Sequence, residues 1–88
     1  MAGREDADLI GCLGRVTSTG AILPRRTGEV LVLVGGRREA FLARDADGGA
    51  IDAGEEVAVV DRIGPRTVLV TRLRDREAGP PITEEPYR

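Results

Sequence analysis

Between Leu13 and Leu73 apolar residues come in short bursts, and each burst is cut off by glycine, proline or aspartate. Alternation of period two marks a half-buried strand, and the interruptions supply the turns between strands. Five strands are predicted on this basis. The first runs from Leu13 to Thr19, with Leu13 and Val16 as anchors and Gly11, Gly14 and Gly20 permitting bends. A loop through Leu23-Pro24-Arg25-Arg26-Thr27-Gly28 leads to the second, Glu29 to Val34, whose unbroken Val-Leu-Val-Leu-Val predicts a central strand with contact on both faces. Gly35-Gly36 is a two-residue hairpin turn that hands the chain to the third strand, Arg37 to Arg44, with Phe41 and Ala43 on one side and Ala40 and Leu42 on the other.

After the glycine-rich crossing Asp45 to Gly49, Ile51 re-enters the apolar interior. The turn Asp52-Ala53-Gly54-Glu55 then opens the fourth strand, Glu56 to Asp61. A Gly64-Pro65 turn connects it to the fifth, Thr67 to Leu73. No window sustains apolar spacing at three and four residues without a Gly or Pro, so helix is not expected. Five short strands with a glycine-rich first strand and a longer third-to-fourth crossing predict an all-β, five-stranded, OB-like Greek-key barrel. Closure also removes the edges that so valine-rich a sheet would offer for aggregation.

The flanks change character. Residues 1–10 are charged and small and predict a flexible leader; residues 74–88, with Pro80-Pro81 and Pro86, predict a disordered tail in which Tyr87 is the only aromatic. The compact domain is 11–73, small enough that only about 60% of its unfolded surface can be buried. With aromatics at 2%, Val, Leu, Ile and Ala must fill the core, which leaves little volume to spare for a deep substrate cavity.

Charge adds little. The formal net charge is -2, and between Leu13 and Leu73 nine Arg face eight acids, so there is no broadly basic domain of the kind that non-specific nucleic-acid binding requires. Catalysis is disfavoured by elimination. There is no His and no Lys, and Ser18 is the only serine, so neither a Ser-His-Asp, a Cys-His nor a Ser-Lys arrangement can be built. The acid pairs Glu55-Glu56 and Asp45-Asp47 read as solvated turn carboxylates. Asp45, Asp47 and Asp52 are spaced like calcium-loop ligands but lack the closing glutamate and flanking helices of an EF-hand. Cys12 is the only cysteine, which rules out an intrachain disulfide and reads as a small apolar residue at a strand start. No metal and no cofactor are expected. The longest aliphatic run, Val30 to Val34, is far short of the ~20 residues that span a bilayer.

Several segments in order resemble one family. Leu9-Ile10-Gly11-Cys12-Leu13-Gly14-Arg15-Val16-Thr17, then Leu23-Pro24 with Gly28-Glu29-Val30, then Gly36-Arg37-Arg38-Glu39-Ala40, and finally Ile51 to Val60 followed by Gly64 and Val68-Leu69-Val70, look like the C-terminal soluble domain of NfeD-like membrane proteins. The loop from Leu23 to Gly28 is longer than this family usually has around its Leu-x-Pro element. The resemblance implies an OB-type domain that follows transmembrane helices, with a protease-like domain only in longer members. This chain would then be a soluble fragment of a longer membrane protein, its domain facing the cytoplasm. It further implies a non-catalytic adaptor paired with flotillin- or stomatin-like scaffolds in membrane microdomains, and no family catalytic residue maps onto these positions.

The candidate binding residues are therefore arginines. Arg25 and Arg26 lie in the first-to-second loop, Arg62 and Arg66 flank the fourth-to-fifth turn, and Arg37 and Arg38 extend the patch; together they predict a protein-docking surface for an acidic partner. The competing reading is single-stranded nucleic acid on the same face. That ligand requires exposed aromatic platforms, and Phe41, the only aromatic in the strands, is expected in the core.

Overall fold

A computed structural model of the chain describes residues 9–73. Met1 to Asp8 of the expected leader and the whole expected tail, 74–88, lie outside the described residues, and Tyr87 with them. Five strands, β1 (Leu13–Val16), β2 (Gly28–Val34), β3 (Arg37–Asp45), β4 (Glu56–Gly64) and β5 (Thr67–Arg72), close into a barrel in the order β1-β2-β3-β5-β4. All neighbours are antiparallel except β3 and β5, which run parallel. This is the all-β, OB-like barrel that the pattern predicts.

The boundaries differ where turns intervene. β1 stops at Val16, short of Thr19, because the Gly20 amide bonds the Thr17 carbonyl at 3.1 Å and turns the chain. β4 runs on to Gly64, past Asp61, because it absorbs register shifts between Val59 and Asp61 and again between Arg62 and Gly64. Such bulges bend a strand around a small barrel without ending it. The β2–β3 hairpin turns through Gly35 (φ 57) and Gly36 (φ 84), the pair of positive φ values that a tight two-residue turn demands.

Valine supplies seven of the twelve buried core side chains among the described residues. Val16, Val30, Val32, Val57, Val59, Val68 and Val70 point inward with Phe41 and Ala43, as the alternation predicts for β3. The outward positions of β1, β2 and β3 carry Leu13, Leu31, Leu33 and Leu42. β2 therefore has one buried face, contrary to the expectation of contact on both: Leu31 and Leu33 retain 40% and 52% of their exposure. In a closed barrel a strand has neighbours on both edges but one face only can look into the core, so a continuous aliphatic run does not mean two packed faces.

One end of the barrel is sealed by loops. Ile22, from the β1–β2 connection, and Ile51, from the β3–β4 crossing, exchange backbone hydrogen bonds of 2.9 Å in both directions, and both side chains are fully buried. Leu9, which the pattern reads as leader, is also in the core, and the Gly11 amide behind it bonds the Val59 carbonyl at 2.8 Å. Cys12 is half-buried and packs against this core ahead of β1.

Candidate functional site

The barrel places the six candidate arginines at two ends of the β2–β3 face. Arg25 and Arg26 lie at the end where β2 begins and β3 finishes, and Arg37 and Arg38 lie at the hairpin end. Arg62 and Arg66 border the β4–β5 turn, which meets β3 near Leu42. The arrangement thus brackets the face and does not gather the arginines into one patch.

Two of the six are committed to the fold. Arg62 donates from Nε to the Gly64 carbonyl at 3.1 Å and from Nη2 to the Pro65 carbonyl at 2.7 Å, bracing its own turn. Arg66 hydrogen-bonds the Ala40 carbonyl and lays its guanidinium over the Phe41 ring, 4.6 Å from the centroid. A cation over an aromatic face contributes about 0.5–1 kcal/mol at an exposed site. Arg66→Ala is expected to lower stability by roughly 1 kcal/mol, whereas Arg38→Ala should stay within about 0.5 kcal/mol of the parent, as urea denaturation would show.

The remaining four face outward. Arg37 makes a loose ion pair with Glu39 at 3.7 Å. Among the described residues, the side chains of Arg25, Arg26 and Arg38 have no hydrogen-bond or ion-pair partner. Arg44, which the pattern does not single out, reaches from β3 to the Pro24 carbonyl at 3.2 Å and ties the Arg25-Arg26 loop to the barrel. Across β1 and β4, Arg15 bonds the Gly54 carbonyl at 3.1 Å and pairs with Glu56 at 3.0 Å.

The surface between the arginines carries exposed leucines set among polar residues such as Glu29 and Glu56, a feature absent from the sequence-based site. Leu13, Leu31 and Leu33 share a shallow groove with Arg38 at its rim, and Leu23 and Leu42 share another with Arg26. The signal was present in β2: valine takes the inner positions and leucine the outer ones, because a narrow barrel accommodates the shorter side chain.

Phe41 lies in the core at 5% exposure, so no aromatic side chain among the described residues offers a stacking platform for a base. That weighs against the nucleic-acid reading. The carboxylate of Asp45 accepts from the amides of Asp47 at 3.1 Å and Gly49 at 3.0 Å, so it serves as the cap of its own loop. Among the described residues no group of three or more His, Cys, Asp or Glu could hold a metal ion, and no helix is long and apolar enough to cross a membrane.

Residues 13–71 match the family model described as NfeD C-terminal domain. Two solved structures are similar over most of the chain. The C-terminal domain of stomatin operon partner protein 1510-C from Pyrococcus horikoshii is 33% identical, with a TM-score of 0.59 over 76% of this chain and 91% of that one. The soluble domain of the NfeD protein YuaF from Bacillus subtilis is 35% identical, with a TM-score of 0.65 over 82% of this chain and 81% of that one. Among curated proteins, none matches this chain.

Proposed function

Starting from the premise that this chain belongs to the NfeD C-terminal domain family, we propose that it is a non-catalytic adaptor whose partner is a stomatin- or flotillin-like membrane scaffold. It acts at the cytoplasmic face of a membrane, where such scaffolds organise microdomains. The observation that carries this reading is the likeness to a protein named as a stomatin operon partner, which covers 91% of that neighbour's domain.

The barrel is compatible with such a role. Among the described residues its core is filled by aliphatic side chains and Phe41, the carboxylates of Asp45, Glu55 and Glu56 serve a turn and ion pairs, and Arg25, Arg26 and Arg38 present outward guanidinium groups. Arginine binds carboxylates bidentately and is enriched where interfaces are energetically decisive. Arg25, Arg26, Arg37 and Arg38 are the docking residues in this reading; Arg62 and Arg66 hold the loop that frames them.

The test is capture of a stomatin-like scaffold from the same genome on the immobilised domain. Arg25→Glu with Arg26→Glu is expected to cut retention by about tenfold or more, since reversing rim charges sets like against like. Undiminished capture by the double variant would remove the loop arginines from the interface, and no capture by the parent would remove the scaffold.

A further inference from the structure

The barrel closes, but β3 outruns the strand that closes it. β5 lies beside β3 from Leu42 to Asp45 only, so among the described residues Arg37–Phe41 have a strand neighbour on the β2 side alone. In the two-residue hairpin Val34 and Arg37 form a hydrogen-bonded pair, which turns the odd-numbered backbone groups of β3 towards β2 and the even-numbered ones away from it. The Leu42 amide obeys this parity and bonds the Arg66 carbonyl on the far side at 2.8 Å. The backbone groups of Arg38 and Ala40 therefore point into the open edge. Arg66 takes the Ala40 carbonyl with its guanidinium. The N–H and C=O of Arg38 and the N–H of Ala40 are left without a partner among the described residues.

An unpaired edge is a template for another strand, and charged side chains ordinarily guard it. Arg37, Arg38 and Glu39 are such guards, but the alternation of their signs makes them selective. Arg37 and Glu39 share one face of the strand, where they form a loose ion pair at 3.7 Å, and Arg38 and Ala40 share the other. A second copy of this strand, laid antiparallel, has few registers that set even-numbered residues against each other. Arg37 opposite Arg37 or Glu39 opposite Glu39 juxtaposes like charges, and Ala40 opposite Ala40 calls on the Leu42 amide that β5 already holds. Arg38 opposite Arg38 sets Arg37 of each copy across from Glu39 of the other, twice. It needs only the Arg38 N–H and C=O and the Ala40 N–H, and does without the carbonyl that Arg66 occupies.

We propose that β3 is the edge through which two copies of this chain pair, antiparallel about a two-fold axis at Arg38. The Arg38 N–H of each copy donates to the Arg38 carbonyl of the other, and each Ala40 N–H donates to the Gly36 carbonyl of the other. Backbone groups alone would accept any extended segment; the alternating charges select this one. Opposite charges directly across an antiparallel pair are favourable and like charges are not, so Arg37 and Glu39 fix the register. The two Arg38 side chains face each other on the outer side, where both are exposed and solvent screens them. The same surface serves both copies, as a two-fold contact requires. A patch this short stays below the ~1,200 Å² of a stable interface, so the pair forms and separates with concentration. The pairing goes beyond the scaffold reading and does not rest on it, since it leaves the Arg25-Arg26 end of the face uncovered.

The test is sedimentation velocity of the full chain from micromolar to millimolar concentration, with amide hydrogen exchange read by NMR on the same samples. The sedimentation coefficient is expected to rise with concentration. Exchange of the Arg38 and Ala40 amides should slow in step, while the odd-numbered amides of β3, already bonded to β2, stay as they are. Arg37→Glu and Glu39→Arg should each weaken association about tenfold or more, and an equimolar mixture of the two should regain it, because each variant then meets the opposite charge at both positions. Arg38→Thr should strengthen association severalfold by removing the like-charged pair at the axis. Arg38→Pro deletes an edge donor and no bond to β2, so it should abolish association with little change in the thermal melt.

A sedimentation coefficient that stays constant over the range, or association that Glu39→Arg does not move, would overturn the pairing. So would a mixture of the two charge variants that fails to associate, since the charges would then not meet across the axis. Slow exchange of the Arg38 and Ala40 amides to the same extent at every concentration would mean that the edge is covered within one chain. Concentration-dependent shifts confined to β1 and β4 would mean that the copies meet through another face. Either result removes the proposal. Arg25→Glu with Arg26→Glu lies at the other end of the face and should leave association unchanged, so loss of the scaffold and loss of the pairing are read apart.

Discussion

Replacing Gly28 with alanine is expected to destabilise the domain by about 4 kcal/mol or more, enough to leave a domain of this size largely unfolded. A Cβ at this position would stand 2.1 Å from the Gly20 carbonyl oxygen, 2.7 Å from that of Ala21 and 2.7 Å from Cγ1 of Ile22. Two of these obstacles are backbone, which cannot rotate aside as a flexible side chain would. Retreat of the loop is also blocked, because the Gly20 carbonyl accepts the Glu29 amide at 2.8 Å and the Ile22 amide is bonded to Ile51 at 2.9 Å. The variant must either break the seal of the barrel end or displace the start of β2. Circular dichroism and a thermal melt would show the loss, and a melting temperature within a few degrees of the parent would mean that the β1–β2 loop is not fixed where it packs. Gly36→Ala, at a positive-φ turn position with open space around it, should cost only about 1 kcal/mol.

The contrast between those two glycines shows what the sequence conveys. Gly35-Gly36 between two alternating runs reads directly as a hairpin, since the turn is a local matter of φ. Gly28 reads only as a loop terminus. Its real constraint is an approach by Gly20, eight positions earlier, and such closeness appears only once the barrel has closed. The five strands were legible for the first reason. The OB-like barrel followed from the strand count and the longer third-to-fourth crossing, whereas the parallel β3–β5 pairing appears only in the closed structure.

The site was less legible, for related reasons. Loop arginines are visible in a sequence, but whether each is free is decided by carbonyls distant along the chain. Arg66 finds Ala40 and Phe41 from 26 and 25 positions away, and Arg44 finds Pro24. Arg62 is the exception, since its partners Gly64 and Pro65 are neighbours. The outward leucines were hidden by hydropathy itself, which scores leucine and valine alike. What separates them here is shape: β-branched valine fits the inner wall of a tight barrel, and leucine is left on the outside. The register between β2 and β3 then sets Leu31 diagonal to Leu42, an adjacency no single strand reveals.

The same closed end supplies the second large effect. Ile51→Ala and Ile22→Ala are each expected to cost about 2–5 kcal/mol, the range for removing most of a buried isoleucine and leaving a cavity behind. Both side chains are fully buried, and their backbones are tied to one another by paired hydrogen bonds, so neither loop can collapse into the space without pulling the other from its place. The upper part of the range is therefore expected. Because the two residues seal the same end, the double variant should cost less than the sum of the singles by roughly 0.5–3 kcal/mol: the second deletion enlarges a cavity that the first has already opened. Leu31→Ala is the control, expected to change stability by less than about 1 kcal/mol since its side chain faces outward. Denaturant titration of the four variants checks the set. Strict additivity of the two isoleucines would mean that the barrel end is held by each loop independently, and a large loss at Leu31 would mean that the outer leucines stabilise the barrel and are not held in reserve for a partner.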